Sequence, residues 1–239
     1  MPARLFNPDR PMSQASSDAI AQNNSSNPIS DTQRGFILAS GSPRRLELMA
    51  KLGFAPKVRV SAVPEERGAG ESPSEYTRRL ALAKAEAVRD EMAAESDVRD
   101  WILAADTIVI IEDEAGREVV LEKPADGDEA AEMLGRLSGR AHVVETSYCW
   151  LQRSTGRSKV ESVRAKVEFR ELTPEMIARY VATGESLDKA GSYGIQEVGA
   201  ALVRRIEGSY FTVVGLPVCE VVETLTELGG LSGFPFQDE

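Results

Sequence analysis

A short apolar run, a small-residue turn and an amphipathic helix follow one another where the globular part of this sequence begins. Residues 36–39 (FILA) have the composition of a buried strand, and the Ser-Gly-Ser segment at residues 40–42 interrupts it. Ser42 is suited to cap a helix with Pro43 at its first position, and Gly53 is a typical residue just beyond a helix end. A strand that passes through a tight turn into a helix is the basic unit of α/β folds, so this stretch favours that class.

The rest of the chain extends this unit to an α/β domain with a mixed sheet and flanking helices. Apolar or alternating runs predict strands at residues 57–60, 101–111, 118–121, 141–152, 158–169 and 200–206. Capping signals and periodicity predict helices at residues 72–96, 128–137, 173–184 and 217–228, and glycine-rich loops at 191–194 and 208–215. We expect one domain over residues 34–230, between a disordered leader (1–33) and a flexible tail (231–239).

Charge and cysteine content limit the classes of function. The net charge of -10 argues against a surface that coats nucleic acid, and no apolar run reaches the roughly 18 residues that a membrane span needs. Cys149 and Cys219 are interpreted as reduced core residues of a cytoplasmic protein. The sole histidine, His142, is interpreted as a structural residue at the start of a strand.

Two adjacent arginines, Arg44 and Arg45, stand at the start of the first predicted helix. The free N–H groups and the positive dipole end of such a helix favour an anion, and guanidinium groups match the oxygens of a phosphate. The turn is therefore a candidate phosphate site. A surface turn with two solvated arginines is the competing interpretation.

Asp106 interrupts the strongly apolar strand WILAADTIVII, where an isolated charge is costly to bury. We expect it at a strand end that faces a cleft, paired with a cation, or bound to a metal ion. Three lysines stand at breaks in the predicted structure or beside an apolar helix face: Lys84, Lys123 and Lys189. With the two arginines they would form the cationic cage that a triphosphate requires. Taken singly, each lysine is also compatible with a solvent-facing position.

Six segments carry a resemblance to a known family: LASGSPRRLELMAKLGF, RLALAKAEAV, AADTIV, KPADGDEAAEMLGRLSGRAHVVET, DKAGSYGIQ and IEGSYFTVVGLP. In these segments, which cover essentially all of residues 36–222, the chain resembles the Maf family of nucleoside triphosphate pyrophosphatases. The resemblance implies an elongated, two-lobed α/β fold like that of inosine triphosphate pyrophosphatases, with the active cleft between the lobes. It also implies hydrolysis between the α and β phosphates, which yields a nucleoside monophosphate and pyrophosphate.

The same resemblance implies roles for individual residues. Asp106 is the expected proton acceptor and would share a divalent cation, Mg²⁺ or Mn²⁺, with Glu65, for which Glu66 is a close rival. The positions implied to set substrate choice are Arg44, Thr107 and Gln196. The positions implied to bind the phosphates or to line the cleft around them are Ser42, Arg45, Lys84, Lys123 and Lys189.

The segment DKAGSYGIQ resembles the branch of the family that acts on dTTP and UTP. The amide of Gln196 offers both an acceptor and a donor to the O4/N3–H edge of thymine or uracil. Because an amide can rotate by half a turn, that contact alone would not reject cytosine.

Four residues depart from the family's usual pattern, since Glu122, Ser147 and Glu197 replace glycines and Thr212 replaces an asparagine. The two added carboxylates are expected to weaken the binding of a polyanion unless they face away from it or share the metal. Two alternative functions stay open at this point: a non-catalytic nucleotide-binding regulator of cell division, and a pyrophosphatase for modified purine nucleotides. A homodimer is among the assemblies expected of such a chain.

Overall fold

A seven-stranded mixed sheet organises the protein in the computed structural model, which describes residues 35–235. Its strands are β1 (Ile37–Leu38), β2 (Lys57–Val58), β3 (Trp101–Glu112), β4 (Glu118–Leu121), β5 (Ala141–Gln152), β6 (Ser158–Phe169) and β7 (Val203–Glu207). Its α-helices are α1 (Pro43–Lys51), α2 (Pro73–Glu91), α3 (Gly127–Leu137), α4 (Pro174–Val181), α5 (Tyr210–Val214) and α6 (Val218–Glu227). Short 3₁₀ turns occupy Ala190–Ser192 and Val198–Leu202.

The strands lie in the order β2-β1-β3-β5-β6-β7, and β4 pairs with β3 outside this path. β1 pairs in parallel with β2 and β3, whereas the other ladders are antiparallel. This topology confirms the predicted α/β class with a mixed sheet. The two-lobed shape stays a prediction.

The core lies on both faces of β3 and β5. On one face, Leu103 and Trp150 join a large cluster that includes Phe36. On the other face, Ile102 and Cys149 pack in a cluster with apolar residues of α2. Helix α2 begins with the predicted capping box, in which the side chains of Ser72 and Glu75 each bond the other residue's main-chain N–H.

Several predicted elements differ from the structure, among them β2, which ends at Val58 rather than residue 60, and α4, which ends at Val181 rather than residue 184. Helix α2 ends at Glu91 rather than near residue 96, because residues 93–95 are exposed and the apolar period stops at Met92. Strand β7 begins only at Val203, after a 3₁₀ turn. The segment 208–215, interpreted as a glycine-rich loop, contains the short helix α5, which is too brief to give a periodic signal.

The predictions for the chain ends and for the two cysteines have different outcomes. The predicted leader and residues 236–239 lie outside the described residues. Within the predicted tail, Leu231 is buried against the core. Both cysteines are free; Cys149 is buried as predicted, but Cys219 is exposed, which corrects its interpretation as a core residue. Over the described part of the chain, no helix combines the length and the apolar character needed to cross a membrane.

Candidate active site

A gap in the strand pairing along β3 creates the candidate site. β1 pairs with β3 as far as Leu103, and β4 pairs with it from Val109 onward. Between these partners, residues 104–108 of β3 have no neighbouring strand on that edge within the described part of the chain, while β5 covers the other edge. A cavity of about 500 Å³ lies at this gap, and Asp106 lines it.

Alternation along β3 gives the cavity two chemically different walls, because successive side chains of a strand point to opposite faces. Asp106 lies on the α2 side, where it contacts Lys84. Thr107 lies on the other side, where it contacts Arg45. We call the first the carboxylate wall (Glu65, Lys84, Asp106 and Lys123) and the second the hydroxyl wall (Arg45, Thr107 and Gly215).

Lys84 holds the carboxylate wall together. Its Nζ lies 2.7 Å from Oδ1 of Asp106 and 2.5 Å from Oε1 of Glu65. Lys123 Nζ approaches the other oxygen of Glu65 at 3.3 Å. Asp106 is only 8% exposed, and it is paired with the cation Lys84, one of the three arrangements expected for a buried carboxylate at this position. Lys84 and Lys123, proposed from the sequence to face phosphates, contact carboxylates here.

Glu65 is fixed at its main chain as well as at its side chain. The hydroxyl of Tyr76 donates a 2.9 Å hydrogen bond to the main-chain oxygen of Glu65. Burial acts to raise the pKa of the Glu65 carboxyl, but hydrogen bonds and charge from Lys84 and Lys123 outweigh it and lower that pKa below its ordinary value. The side chain of Glu65 is therefore held ionised. Among the described residues, the side chain of Glu66, the alternative to Glu65, makes no contact with the carboxylate wall, and Glu66 lines a separate surface hollow.

Arg45 bonds to the protein with most of its donors. Its Nε donates to the main-chain oxygen of Gly215 (2.8 Å), and Nη1 donates to Ser40 Oγ (2.9 Å) and to the main-chain oxygen of Ala105 (2.8 Å). Its Nη2 donates to Thr107 Oγ1 (3.1 Å). A guanidinium has five N–H donors, so four of them join the turn, β3 and the segment after α5. Burial lowers the pKa of Arg45 below its ordinary value. The sequence suggested a phosphate ligand, whereas these contacts describe a residue that orders the site.

Thr107 lies in a continuous set of hydrogen bonds. The Oγ1 atoms of Thr107 and Thr146, which face each other across β3 and β5, are 2.8 Å apart. Thr146 Oγ1 donates in turn to the main-chain oxygen of Thr212 over 2.8 Å. Thr146 is fully buried, and Thr107 is partly exposed to the cavity.

Arg44 and Ser42 keep their side-chain donors available. Ser42 is the N-cap residue of α1, but its side chain makes no capping hydrogen bond. Within residues 35–235, Arg44 makes neither a hydrogen bond nor a salt bridge, although its charge helps to lower the pKa of Asp188. Both residues line the cavity. Of the two adjacent arginines, Arg44 is thus the one that can offer its guanidinium to an anion.

The segment of residues 188–197 closes the far side of the cavity and carries two further candidates. Lys189 Nζ donates to the main-chain oxygen of Glu185 and to Oδ1 of Asp188, both at 2.6 Å. Gln196 is exposed and lines the cavity. Gly191 (φ +67°) allows this loop to approach β3, because a Cβ there would lie 2.8 Å from Cγ2 of Val109. Lys189 therefore stabilises the loop, and Gln196 is free to meet a ligand.

The four departures from the family pattern divide into two groups. Glu122 and Glu197 are exposed residues that line the cavity, so neither faces away from it. Ser147 and Thr212 are fully buried. Ser147 Oγ lies 2.7 Å from Thr77 Oγ1 and 2.8 Å from Ser162 Oγ, which places it in the packing between α2 and the sheet. The first pair bears on ligand binding and the second on structure.

Sequence reasoning missed three contributors to the site: Tyr76, Thr146 and Gly215. Gly215 meets Arg45 across 170 positions, Tyr76 bonds the main chain of Glu65 across the loop before α2, and only the register of β3 with β5 brings Thr146 beside Thr107. No local pattern signals such a contact. His142 is structural as interpreted: it is buried, its Nε2 lies 2.8 Å from Tyr193 Oη, and burial lowers its pKa to about 4.

The family model and the sequence relatives agree on one family. The sequence model of a family described as Maf-like protein matches residues 35–228. A dTTP/UTP pyrophosphatase of Syntrophotalea carbinolica is 46% identical over 85% of this chain and 89% of that protein. A dTTP/UTP pyrophosphatase of Moorella thermoacetica is 48% identical over 81% of this chain and 95% of that protein. A solved structure described as a nucleoside-triphosphatase / dITP/XTP pyrophosphatase of Mycobacterium abscessus was also matched. The match covers 82% of this chain and 94% of that chain, with 13% sequence identity and a TM-score of 0.38.

Proposed function

This chain belongs to the Maf-like protein family, and on that premise we propose that it is a nucleoside triphosphate pyrophosphatase that acts on dTTP and UTP. The observation that carries the proposal is the agreement of relatives named dTTP/UTP pyrophosphatase, at 46% and 48% identity, over most of both chains. The cavity supports it, since a polar wall with two carboxylates and two lysines stands beside a wall that is largely uncharged.

The reaction is hydrolysis of the bond between the α phosphorus and the oxygen that bridges to the β phosphorus. Asp106 accepts a proton from water while the water oxygen attacks the α phosphorus. The bond to the bridging oxygen breaks, its electron pair leaves with pyrophosphate, and the nucleoside monophosphate remains. The carboxylate of Asp106 has an oxygen free for this task, because Lys84 contacts only Oδ1.

The cations of the cavity stabilise the negative charge that moves onto pyrophosphate. Arg44 is available as a planar donor, and Lys123 is 59% exposed and, among the described residues, pairs with Glu65 alone, at 3.3 Å. Lys84 holds the carboxylates of Asp106 and Glu65 close together, and Arg45 orders the turn in which Arg44 stands. Positioning and charge stabilisation account for most of the catalysis in phosphoryl transfer.

A divalent cation fits the carboxylate wall. Mg²⁺ is typically held by one or two carboxylates together with substrate phosphates, and Glu65 and Asp106 provide two carboxylates that share one lysine. Residues 35–235 contain no cluster of three or more metal-ligating side chains, so a site built from protein alone is not supported. Mg²⁺ or Mn²⁺ bound by Glu65 and Asp106 would supply positive charge to the phosphate oxygens.

The cellular setting and assembly belong to the same proposal. Two free cysteines, one of them exposed, suit the reducing cytoplasm. The substrate is a small nucleotide, and a homodimer remains the assembly we expect. The function requires neither nucleic acid nor a membrane as partner.

The test is pyrophosphate release from a panel of NTPs and dNTPs, with 5-methyl-UTP and 7-methyl-GTP included, in the presence of Mg²⁺ or Mn²⁺. We expect hydrolysis of dTTP and UTP that is lost in Asp106→Asn and kept in Asp113→Asn, a matched change in the turn between β3 and β4. Activity on modified purine nucleotides alone would contradict the substrate assignment. Nucleotide binding without pyrophosphate release would contradict the enzymatic function and favour a regulator.

A further inference from the structure

A proton count fixes the direction of the hydrogen bonds that link Arg45, Thr107, Thr146 and Thr212. A guanidinium only donates and a carbonyl oxygen only accepts, whereas each threonine hydroxyl has one proton. Thr146 must donate its proton to the main-chain oxygen of Thr212, so it can only accept from Thr107. Thr107 Oγ1 therefore accepts from Arg45 and donates to Thr146. One lone pair, and no proton, remains on Thr107 for a ligand.

The approach to this lone pair is open. Thr107 lines the cavity and is partly exposed. Gly215, with φ +116°, lies beside it, and a Cβ at this position would stand 3.4 Å from Thr107 Oγ1. The missing side chain at Gly215 keeps space next to the hydroxyl.

The surroundings of Thr107 suit a base better than a polyphosphate. Apolar residues of β3, β5, α5 and the loop after the first 3₁₀ turn line the same cavity: Val109, Val144, Ile195, Val213 and Val214. The carboxylates and Lys84 of the carboxylate wall stand on the opposite side of β3. A flat ring with polar edges matches the combination of these apolar residues with the hydroxyl of Thr107.

We propose that Thr146 is a positioning residue that holds Thr107 as a hydrogen-bond acceptor only, so that Thr107 selects the N3–H donor of uracil and thymine. Cytosine presents an unprotonated N3 at the same place, and two acceptors repel each other. A freely rotating amide such as that of Gln196 cannot make this distinction, whereas a hydroxyl whose proton is already bonded can. This proposal rests on the proposed function, because it assigns the selectivity of that same site.

The experiment compares kcat/KM for UTP and CTP in the wild type, Thr146→Val and Thr146→Ser. Valine has the shape of threonine but no acceptor, so the proton of Thr107 is released and can turn into the cavity to meet cytosine N3. We expect the preference for UTP over CTP to fall about tenfold to a hundredfold in Thr146→Val, mainly through a lower KM for CTP. Serine keeps the acceptor, and Thr146→Ser should retain the wild-type preference.

Two further variants guard against a structural effect. Thr224→Val removes a buried hydroxyl that bonds Tyr148 elsewhere in the core, and it should leave the UTP/CTP preference as in the wild type. Thr107→Val removes the lone pair itself, and it should lower the preference even if Thr146→Val is too unstable to purify. Thermal unfolding of each variant shows which proteins are folded under the assay conditions.

Four results with UTP and CTP would overturn the proposal. They are a wild type that hydrolyses CTP as well as UTP, an unchanged preference in folded Thr146→Val, an equal loss in Thr146→Ser, and an equal loss in Thr224→Val. The sugar 3′-hydroxyl is the other donor that dTTP and UTP share. A penalty for 3′-deoxy-UTP in the wild type that disappears in Thr107→Val would assign the contact to the sugar and overturn the base assignment. Failure of the wild type to release pyrophosphate from UTP would refute the proposed function instead.

Discussion

Two buried carboxylates on neighbouring strands meet the same helix but differ in what their oxygens contact. Asp106 on β3 is 8% exposed and Glu145 on β5 is 0% exposed. Glu145 accepts hydrogen bonds from Arg164 Nε (2.5 Å), Ser74 Oγ (2.8 Å) and Thr77 Oγ1 (3.2 Å). Asp106 accepts one bond, from Lys84, within the described part of the chain.

This difference separates a structural carboxylate from one that is available for chemistry. Both charges are compensated by a cation, as burial requires. Hydroxyl groups of α2 fill the remaining lone pairs of Glu145, whereas the gap beside β3 leaves an oxygen of Asp106 facing a cavity. Burial and ion pairing alone would not distinguish the two residues. The two residues differ in that, within residues 35–235, Asp106 keeps an oxygen without a hydrogen bond beside a cavity.

The largest expected effect is the loss of activity in Asp106→Asn. The amide cannot accept the proton of the attacking water, so kcat for UTP should fall on the order of 10² to 10⁴. Its oxygen still accepts from Lys84, and Glu65 still compensates that lysine, so the free energy of unfolding should change by about 1 kcal/mol or less. Pyrophosphate release and urea unfolding of the same preparation measure both quantities. Near-normal turnover in folded Asp106→Asn would show that Asp106 is not the proton acceptor and does not differ from Glu145 in function.

The complementary change, Glu145→Gln, should act on stability instead. It breaks a buried ion pair, which typically costs 3–5 kcal/mol, and we expect about 3 kcal/mol because the side chain of Arg164 is 43% exposed and can rehydrate. Turnover of the folded fraction should stay within about twofold of wild type. Urea unfolding measures the first quantity and active-site-normalised kinetics the second. If kcat fell as far as in Asp106→Asn while the protein stayed folded, Glu145 would not be merely structural.

A third buried titratable group, His142, makes the free energy of unfolding depend on pH. Burial lowers the pKa of His142 to about 4, so in the folded protein the ring stays neutral while the unfolded chain binds a proton near pH 6.5. Stability is therefore fully present above the unfolded pKa and is lost as pH falls toward the folded one. Between about pH 8 and pH 5 the loss should reach about 2 kcal/mol. Because His142 is the sole histidine, His142→Gln should show a nearly flat free energy of unfolding over this range. An unchanged slope in the variant would show that other groups cause it.

The sequence predicted elements with strong local signals and missed contacts that depend on register. β5 and β6 have the predicted bounds, because long alternating or apolar runs between turn residues leave little choice. Asp106 was identified because a charge inside an apolar strand is visible in the sequence. The sequence marked Arg45 only as a candidate phosphate ligand, and Thr146 looks like an ordinary polar residue. Their observed contacts depend on partners such as Gly215, 170 positions from Arg45, and on the pairing of β3 with β5. The two walls of the cavity could be predicted only in part for this reason.

The smallest expected effect comes from Glu122, the added carboxylate beside the carboxylate wall. Its charge reaches this wall, since burial and the charges of Glu122, Asp106 and Glu65 together raise the pKa of Tyr76 well above its usual range. The residue is exposed, so solvent weakens its repulsion of a polyphosphate. Glu122→Gln should lower KM for UTP about twofold to fivefold with kcat unchanged, and the gain should shrink at high salt. Glu114→Gln, the same change in the turn between β3 and β4, should leave KM unaltered. A higher KM in Glu122→Gln would instead mean that Glu122 helps to hold a cation, and the carboxylate wall would then contain a third functional acid.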